Sequence, residues 1–172
     1  MKQSAAIRDM SLCGFLAALT AICAWISLPL GDVRFTLQTF SLYLGLFSLG
    51  GKRGSIGFFV YFAMGALGLP VFSGFQGGLG VLLGPTGGYL WGLLLTGPIY
   101  WLFTGLWGKK AALPAAILGM TLCYICGTAW YLHSYGGTWW AVTLKCVVPF
   151  VAPDVAKMLL AQTVARRIKG YL

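Results

Sequence analysis

The chain has 172 residues, of which 59% are hydrophobic and 9% are charged, and its mean hydropathy is +0.84. A soluble domain carries about a quarter charged residues, so this composition excludes an ordinary soluble domain and indicates an integral membrane protein. The formal net charge of +9 comes mainly from basic residues in short breaks between apolar runs. That distribution is typical of membrane topology and not of a nucleic-acid-binding surface.

Six apolar runs separated by turn residues predict six membrane-spanning helices, since one span needs about 20 apolar residues. The first run stops at Pro29 and is followed by the loop LGDVRFT. A glycine-rich stretch, FSGFQGGLGVLLGPTGG, separates the third run from the fourth. In chain order, the helices are predicted at about residues 10–29, 37–50, 54–70, 88–107, 112–132 and 143–166.

The placement of lysine and arginine predicts how these helices are oriented. With six spans, only Arg34 and Lys145 fall near the side opposite the termini. The side of the termini receives Lys2, Arg8, Lys52, Arg53, Lys109, Lys110, Arg166, Arg167 and Lys169. Because basic residues are enriched in cytoplasmic loops, both termini are predicted to be cytoplasmic. The sequence therefore predicts an all-α, multi-pass protein of the cell membrane, with residues 1–172 forming a single six-helix transmembrane domain.

The segment PFVAPDVAKMLLAQ places one of only three acidic residues inside an apolar run. Asp154 and Lys157 are three residues apart, so they share one face of the sixth helix. A charged residue near the membrane centre costs about 2.5–3.5 kcal/mol on insertion scales, and mutual pairing offsets part of that cost. Pro153 removes a backbone donor beside Pro149, which predicts a local break next to a cavity. We interpret the pair as the wall of a polar ligand site, with a structural ion pair as the alternative.

The fourth helix opens with GPTGGYLWG. Gly87 and Gly88 would leave backbone amides at a helix N-terminus, where a carboxylate is favoured. A phosphate loop is excluded because residues 71–91 contain no Lys or Arg and no GK[ST] motif. The alternative is a glycine-rich turn with close helix packing.

Further polar candidates lie where the predicted outer loops meet the helices. Thr36, Gln38 and Thr39 stand where the first outer loop enters the second helix. Gln76 is the only large polar side chain between Ser73 and Thr86. Polar residues are common at membrane interfaces, so each of these is a weak signal by itself.

Small residues four apart lie on the first helix. Ala17 and Ala21, with Gly14 and Ala18, form a small-xxx-small pattern that permits close helix approach. The pattern predicts a partner interface, and packing within the chain explains it equally well.

Enzyme chemistry has little support in this sequence. His133 is the only histidine, there is no glutamate, and no carboxylate pair could serve as acid and base. Cys123 and Cys126 form a lone CxxC without the second ligand pair of a zinc site. The sequence therefore predicts no catalytic residue, no metal and no cofactor.

Three segments carry a family resemblance. They are FTLQTF after the first helix, GLPVFSGFQGGLGVLLGPTGGYLWG in the middle, and PFVAPDVAKMLLAQTVARRI at the end. In this order, and with six predicted helices, they resemble the BioY family, the biotin-specific S components of energy-coupling factor (ECF) transporters. The resemblance covers nearly the whole chain.

The resemblance implies a substrate-binding membrane subunit that captures biotin from outside the cell. It also implies partners in the lipid bilayer and cytoplasm, namely a transmembrane coupling protein and two ATPases, and no nucleic acid. ATP hydrolysis would drive the S component to reorient and release biotin inside. The alternatives are an S component for another small vitamin-like ligand and a purely structural membrane subunit.

The resemblance also implies roles for particular residues. The family motif D-x-x-K matches Asp154 and Lys157 and is implied to help hold the ureido ring of biotin. The polar residue of the glycine-rich loop, commonly Asn in the family, is Gln76 here. For the valerate carboxylate, helix-end electrostatics predicts the amides around Gly87 and Gly88, with Thr86 or Tyr89, and Arg34 is the competing candidate.

Overall fold

A computed structural model describes residues 2–30 and 33–170, with side chains for residues 5–29 and 33–170. This part of the chain is mostly helical and contains eight α-helices and one β-hairpin. The helices are α1 (Lys2–Trp25), α2 (Gln38–Leu49), α3 (Gly51–Ala66), α4 (Leu79–Leu82), α5 (Gly87–Trp107), α6 (Ala112–Tyr135), α7 (Trp139–Cys146) and α8 (Val148–Ile168). The strands are β1 (Ser27–Leu30) and β2 (Val33–Thr36), and a 3₁₀ turn (Gly108–Ala111) joins α5 to α6.

The first helix ends earlier in the structure than the sequence predicts. Helix α1 ends at Trp25, and an antiparallel hairpin follows, with Ser27 opposite Thr36. Pro29 cannot donate a helical hydrogen bond, so the chain leaves the helix before it. The Leu37 amide then donates to the carbonyls of Cys23 and Ile26, 3.1 and 3.3 Å away, and ties the hairpin to the end of α1.

The last predicted helix forms two helices in the structure, and the interruption lies at a different residue from the predicted one. Helices α7 and α8 are separated at Val147, whose φ and ψ are −121° and −56°. Pro149 lies in the first turn of α8, where its missing N–H is tolerated. The predicted break at Pro153 is wrong, because α8 continues through this residue. The interruption at Val147, about two turns earlier, already reorients the chain.

The described helices pack in pairs, most extensively α5 against α6, α2 against α8 and α1 against α3. Two glycines bring α5 and α6 together. A Cβ added at Gly92 would lie 2.6 Å from the Cα of Cys123, and one at Gly119 would lie 2.5 Å from a methyl group of Thr96. This spacing permits backbone contact without side chains between the helices.

The outer surface of the bundle is apolar, as a lipid-facing surface requires. Large exposed side chains include Phe15, Phe59, Leu95, Leu102, Ile125 and Leu160. By length and composition, the segments Ala5–Trp25 and Gly87–Tyr135 meet the requirements for membrane-spanning helices, the second containing both α5 and α6. The count of six spans and the cytoplasmic location of both termini remain predictions.

The small residues of α1 divide between the interior and the surface. Ala17 and Ala21 are 1% and 6% exposed and belong to the core, so packing within the chain accounts for them in this conformation. Gly14 and Ala18 are exposed. These two residues are therefore accessible to a partner that contacts α1 in this conformation.

Candidate ligand-binding site

A pocket lies among α2, α5, α6 and α8, beside the β-hairpin and the glycine-rich segment 72–88. Its walls are mostly apolar, with Leu90 and Leu93 from α5 and Phe150 from α8. The pocket brings together residues that are far apart in the sequence because α2 packs against α8 and α5 packs against α6. Six of the nine predicted ligand-binding residues line it: Thr36, Gln38, Thr86, Tyr89, Asp154 and Lys157.

The Asp154 carboxylate is the centre of a buried polar cluster. Its Oδ1 atom accepts hydrogen bonds from Lys157 Nζ at 2.8 Å and from the Thr39 hydroxyl at 3.0 Å. Its Oδ2 atom accepts one from the Tyr124 hydroxyl at 2.7 Å. Each carboxylate oxygen can accept two hydrogen bonds. Among the described residues, Oδ2 therefore retains the capacity for one further donor.

Lys157 is saturated by the protein. Its ammonium group donates to the carbonyl of Thr36 at 2.7 Å, to Asp154 Oδ1 and to the Thr39 hydroxyl at 3.3 Å. It also lies 3.8 Å from the centre of the Phe35 ring, within cation–π distance. An ammonium group has three protons, so these contacts use all of its donors. Lys157 thus neutralises Asp154 and fastens α8 to the segment that connects β2 to α2.

Gln38 is buried beside this cluster with an incomplete set of hydrogen bonds. Its side chain lines the pocket at 4% exposure, and its Nε2 atom has no hydrogen-bond partner among the described residues. A buried donor without a partner costs about 1–3 kcal/mol. Gln38 is fixed at the first turn of α2, where its own backbone amide donates to the Thr36 hydroxyl at 3.3 Å. This arrangement presents an unused N–H donor within the pocket wall.

Arg34 on β2 is the cationic pocket-lining residue that has no acidic partner among the described residues. It is exposed, and its guanidinium lies against Gly74 of the glycine-rich segment. Gly74 has a φ of +73°, a conformation that side-chain-bearing residues rarely adopt. The guanidinium is therefore held where the hairpin meets that segment, at the edge of the pocket.

The three remaining ligand candidates do not line the pocket. The Gly87 amide already donates to the Gly84 carbonyl at 3.0 Å, and a Cβ at Gly88 would collide with Trp130 of α6. These glycines serve close packing, the alternative interpretation of the motif. Gln76 is exposed and lines a separate surface depression, which shares only Val81 and Thr86 with the pocket.

Sequence reasoning missed Tyr124. This tyrosine lies near the middle of α6, well away from both helix ends. A tyrosine at that depth needs a partner for its hydroxyl. Its position inside an apolar run therefore indicated that its hydroxyl has a partner. That partner is Asp154, 30 residues away on α8, and it could be identified only from the fold.

Comparisons of the sequence with a family model and with known relatives give the same family. The model of the BioY family matches residues 1–172. A probable biotin transporter BioY from Pyrococcus horikoshii is 36% identical over 163 residues, covering 95% of this chain and 97% of the relative. The biotin transporter BioY from Thermotoga maritima is 38% identical over 170 residues, covering 95% and 96%.

A solved structure has the same fold. The crystal structure of the S-component for biotin from an ECF-type ABC transporter matches with a TM-score of 0.89, covering 99% of this chain and 95% of that chain. The two chains are 24% identical in sequence. The likeness confirms the predicted class, an all-α bundle like that of an S component.

Proposed function

Since this chain belongs to the BioY family, we propose that it is a biotin-binding membrane subunit, the S component of an ECF transporter. The observation that carries the proposal is the buried cluster on the pocket wall. Asp154 and Lys157 are 6% and 7% exposed, and both line a pocket with apolar walls. A polar head attached to an apolar body fits such a pocket.

The ureido ring of biotin offers two N–H donors and one carbonyl acceptor. We assign one N–H to the free acceptor position on Asp154 Oδ2. The Gln38 amide then donates to the ureido carbonyl, which supplies the partner that its Nε2 atom lacks. Lys157 holds the carboxylate in place and makes no direct contact, because its donors are occupied.

The fused rings and the carboxylate of biotin need different surroundings. Leu90, Leu93 and Phe150 supply apolar wall for the rings. For the carboxylate we propose Arg34, since a guanidinium can form two parallel hydrogen bonds to a carboxylate. Gly87 and Gly88 support this role less well, because they face neighbouring helices and not the pocket.

The remaining features of the proposal concern membrane and partners. We propose that residues 1–172 form one six-span domain in the cell membrane with both termini in the cytoplasm. A transmembrane coupling protein and two cytoplasmic ATPases would energise it, and ATP hydrolysis would reorient it to release biotin. The exposed Gly14 and Ala18 on α1 provide a surface where a helix of the coupling protein can approach closely.

A ligand titration tests the proposed function. The full-length protein, purified in neutral detergent, is titrated with biotin and, separately, with riboflavin and thiamine as unrelated vitamins. We expect saturable binding of biotin at one site per chain and no competition from the other two. Binding of another vitamin in preference to biotin would favour an S component of different specificity, and no binding at all would favour a structural subunit.

A further inference from the structure

A second cavity lies at the opposite end of the bundle, where α2, α5 and α8 end and α3 and α6 begin. Its floor is apolar and includes the buried side chains of Leu46, Phe47 and Tyr100. Its rim is basic and consists of Lys109, Arg166 and Lys169. An apolar floor under a cationic rim is suited to an amphiphile with a negatively charged head.

The positive charge of this rim is not compensated within the described part of the chain. No acidic residue lines the cavity among residues 2–30 and 33–170, and the whole sequence has twelve basic residues against three acidic ones. Lys169 donates to the carbonyl of Phe47 at 3.4 Å, at the C-terminal end of α2. The side chains of Lys109 and Arg166 have neither a hydrogen bond nor an ion pair with the described residues.

Helix ends of both polarities meet at the cavity. Helices α3 and α6 begin at the cavity, at Gly51 and Ala112. Neither N-terminus has a side-chain cap or an acidic residue in its first turn. The partial positive charge of a helix N-terminus favours a nearby anion. Helices α2, α5 and α8 end at the same cavity, and the partial negative charge of their C-termini opposes this contribution, so the positive potential of the rim comes from its basic side chains.

We propose that this cavity binds a phosphate group, with Lys109 and Arg166 as its principal ligands. The group belongs either to the head of an anionic phospholipid or to free phosphate. Basic recesses between membrane-spanning helices favour anionic lipid heads, and the apolar floor of the cavity offers contact for the start of an acyl chain. The site lies apart from the biotin pocket and does not depend on the proposed function.

Membrane topology alone would explain why this end of the bundle is positively charged. It would not explain which of the basic residues line the cavity. Lys110 and Arg167 are the sequence neighbours of Lys109 and Arg166 and contribute equally to a positive-inside pattern. They are exposed and do not line the cavity. The chain thus contains a matched pair of double variants with the same charge, K109Q/R166Q in the cavity and K110Q/R167Q outside it.

The experiment compares these variants with the unmodified chain. Each is reconstituted in vesicles of equimolar phosphatidylcholine and phosphatidylglycerol, extracted in neutral detergent and weighed by native mass spectrometry. We expect bound phosphatidylglycerol on the unmodified protein and on K110Q/R167Q, and roughly a tenfold or greater loss on K109Q/R166Q. Thermal unfolding of all three checks the fold, and the charge-conserving K109R/R166K, which should retain the lipid, serves if K109Q/R166Q unfolds.

A second arm distinguishes the two sources of phosphate. Displacement of the lipid by millimolar inorganic phosphate would assign the site to free phosphate, and resistance to displacement would assign it to the lipid head. Equal loss of lipid in both glutamine pairs would overturn the proposal, because the effect would then be general surface charge. Retention of lipid by K109Q/R166Q would overturn the proposal as well. A variant that keeps its lipid and loses only assembly with a coupling protein is one case of this outcome.

Discussion

The two ends of the bundle use cationic side chains in opposite ways. Beside the ligand pocket, Lys157 is buried and each of its three donors is occupied by protein. At the other end, Lys109 and Arg166 are exposed and have no partner among the described residues. A charge inside the membrane must be neutralised to be tolerated at all, whereas a charge at the rim can remain unpaired because water solvates it.

This difference separates supporting groups from binding groups. A saturated cation holds the structure and pairs with its acidic neighbour, and it has no donor left for a ligand. Capacity to bind is found instead at incomplete groups, which at the pocket include Asp154 Oδ2 and Gln38 Nε2. If this division is right, substitution of Asp154, which belongs to both groups, should change binding and stability together, and substitution of Gln38 should change binding alone.

The largest effect is expected from Asp154→Asn. Removing one partner of a buried ion pair leaves Lys157 uncompensated, so the free energy of unfolding should fall by about 3–5 kcal/mol. Biotin affinity should fall by about 100-fold or more, since the carboxylate loses its charge and its free acceptor position. Thermal unfolding and biotin titration in detergent measure the two quantities.

The double variant Asp154→Asn/Lys157→Met sharpens this test. Removing both charges should restore most of the lost stability, because no uncompensated charge is then left buried. Biotin binding should stay lost. A double variant that binds biotin as tightly as the unmodified chain would show that the pair only braces α8 against α2.

A smaller effect is expected from Tyr124→Phe. The change removes the hydroxyl that donates to Asp154 Oδ2 at 2.7 Å and lets the carboxylate turn. Hydrogen bonds to charged groups contribute about 1.5–3 kcal/mol, so biotin affinity should fall by about tenfold or more. Tyr135→Phe is the control, because Tyr135 is an exposed tyrosine at the end of the same helix. Equal effects of the two substitutions would contradict the assignment.

Gln38→Leu tests an incomplete group directly. Leucine removes a buried donor that has no partner in the described structure, so stability should be unchanged or slightly higher. Biotin affinity should fall by about five- to tenfold, the value of one net hydrogen bond. Gln162→Leu, in the cavity at the opposite end, removes the same amide and should leave biotin affinity unchanged. A loss of stability in Gln38→Leu would mean that the amide supports the fold.

The sequence allowed the helical architecture and the buried Asp154–Lys157 pair to be predicted for one physical reason. In an apolar chain with three acidic residues, a carboxylate within a membrane run needs a compensating role, and Asp154 with Lys157 at helical spacing provided it. The role of the glycines at 87–88 could not be decided in the same way, because glycine serves close packing and open backbone equally well. Which of the two applies depended on Trp130, a residue of another helix.

Partners across helices could not be predicted in the same way. Thr39 and Tyr124 contact Asp154 from positions 115 and 30 residues away, and the sequence contains no measure of how α2, α6 and α8 are rotated. The saturation of Lys157 by the Thr36 carbonyl was equally hidden, since it depends on the end of a hairpin that was not predicted. For this reason, the sequence could not decide whether Lys157 contacts a ligand or supports Asp154.

The smallest effect is expected from Arg34→Gln, and it tests whether an exposed cation at the pocket end behaves like those of the opposite rim. An exposed ion pair contributes about 0–1 kcal/mol, so biotin affinity should fall by about fivefold at most. The affinity for biotin methyl ester, which has no carboxylate charge, should be the same in both proteins. Lys145→Gln removes the other basic residue predicted on this side and does not line the pocket, so it should leave both affinities unchanged. Equal weakening of acid and ester by Arg34→Gln would show that Arg34 orders the hairpin over the pocket and does not pair with the carboxylate.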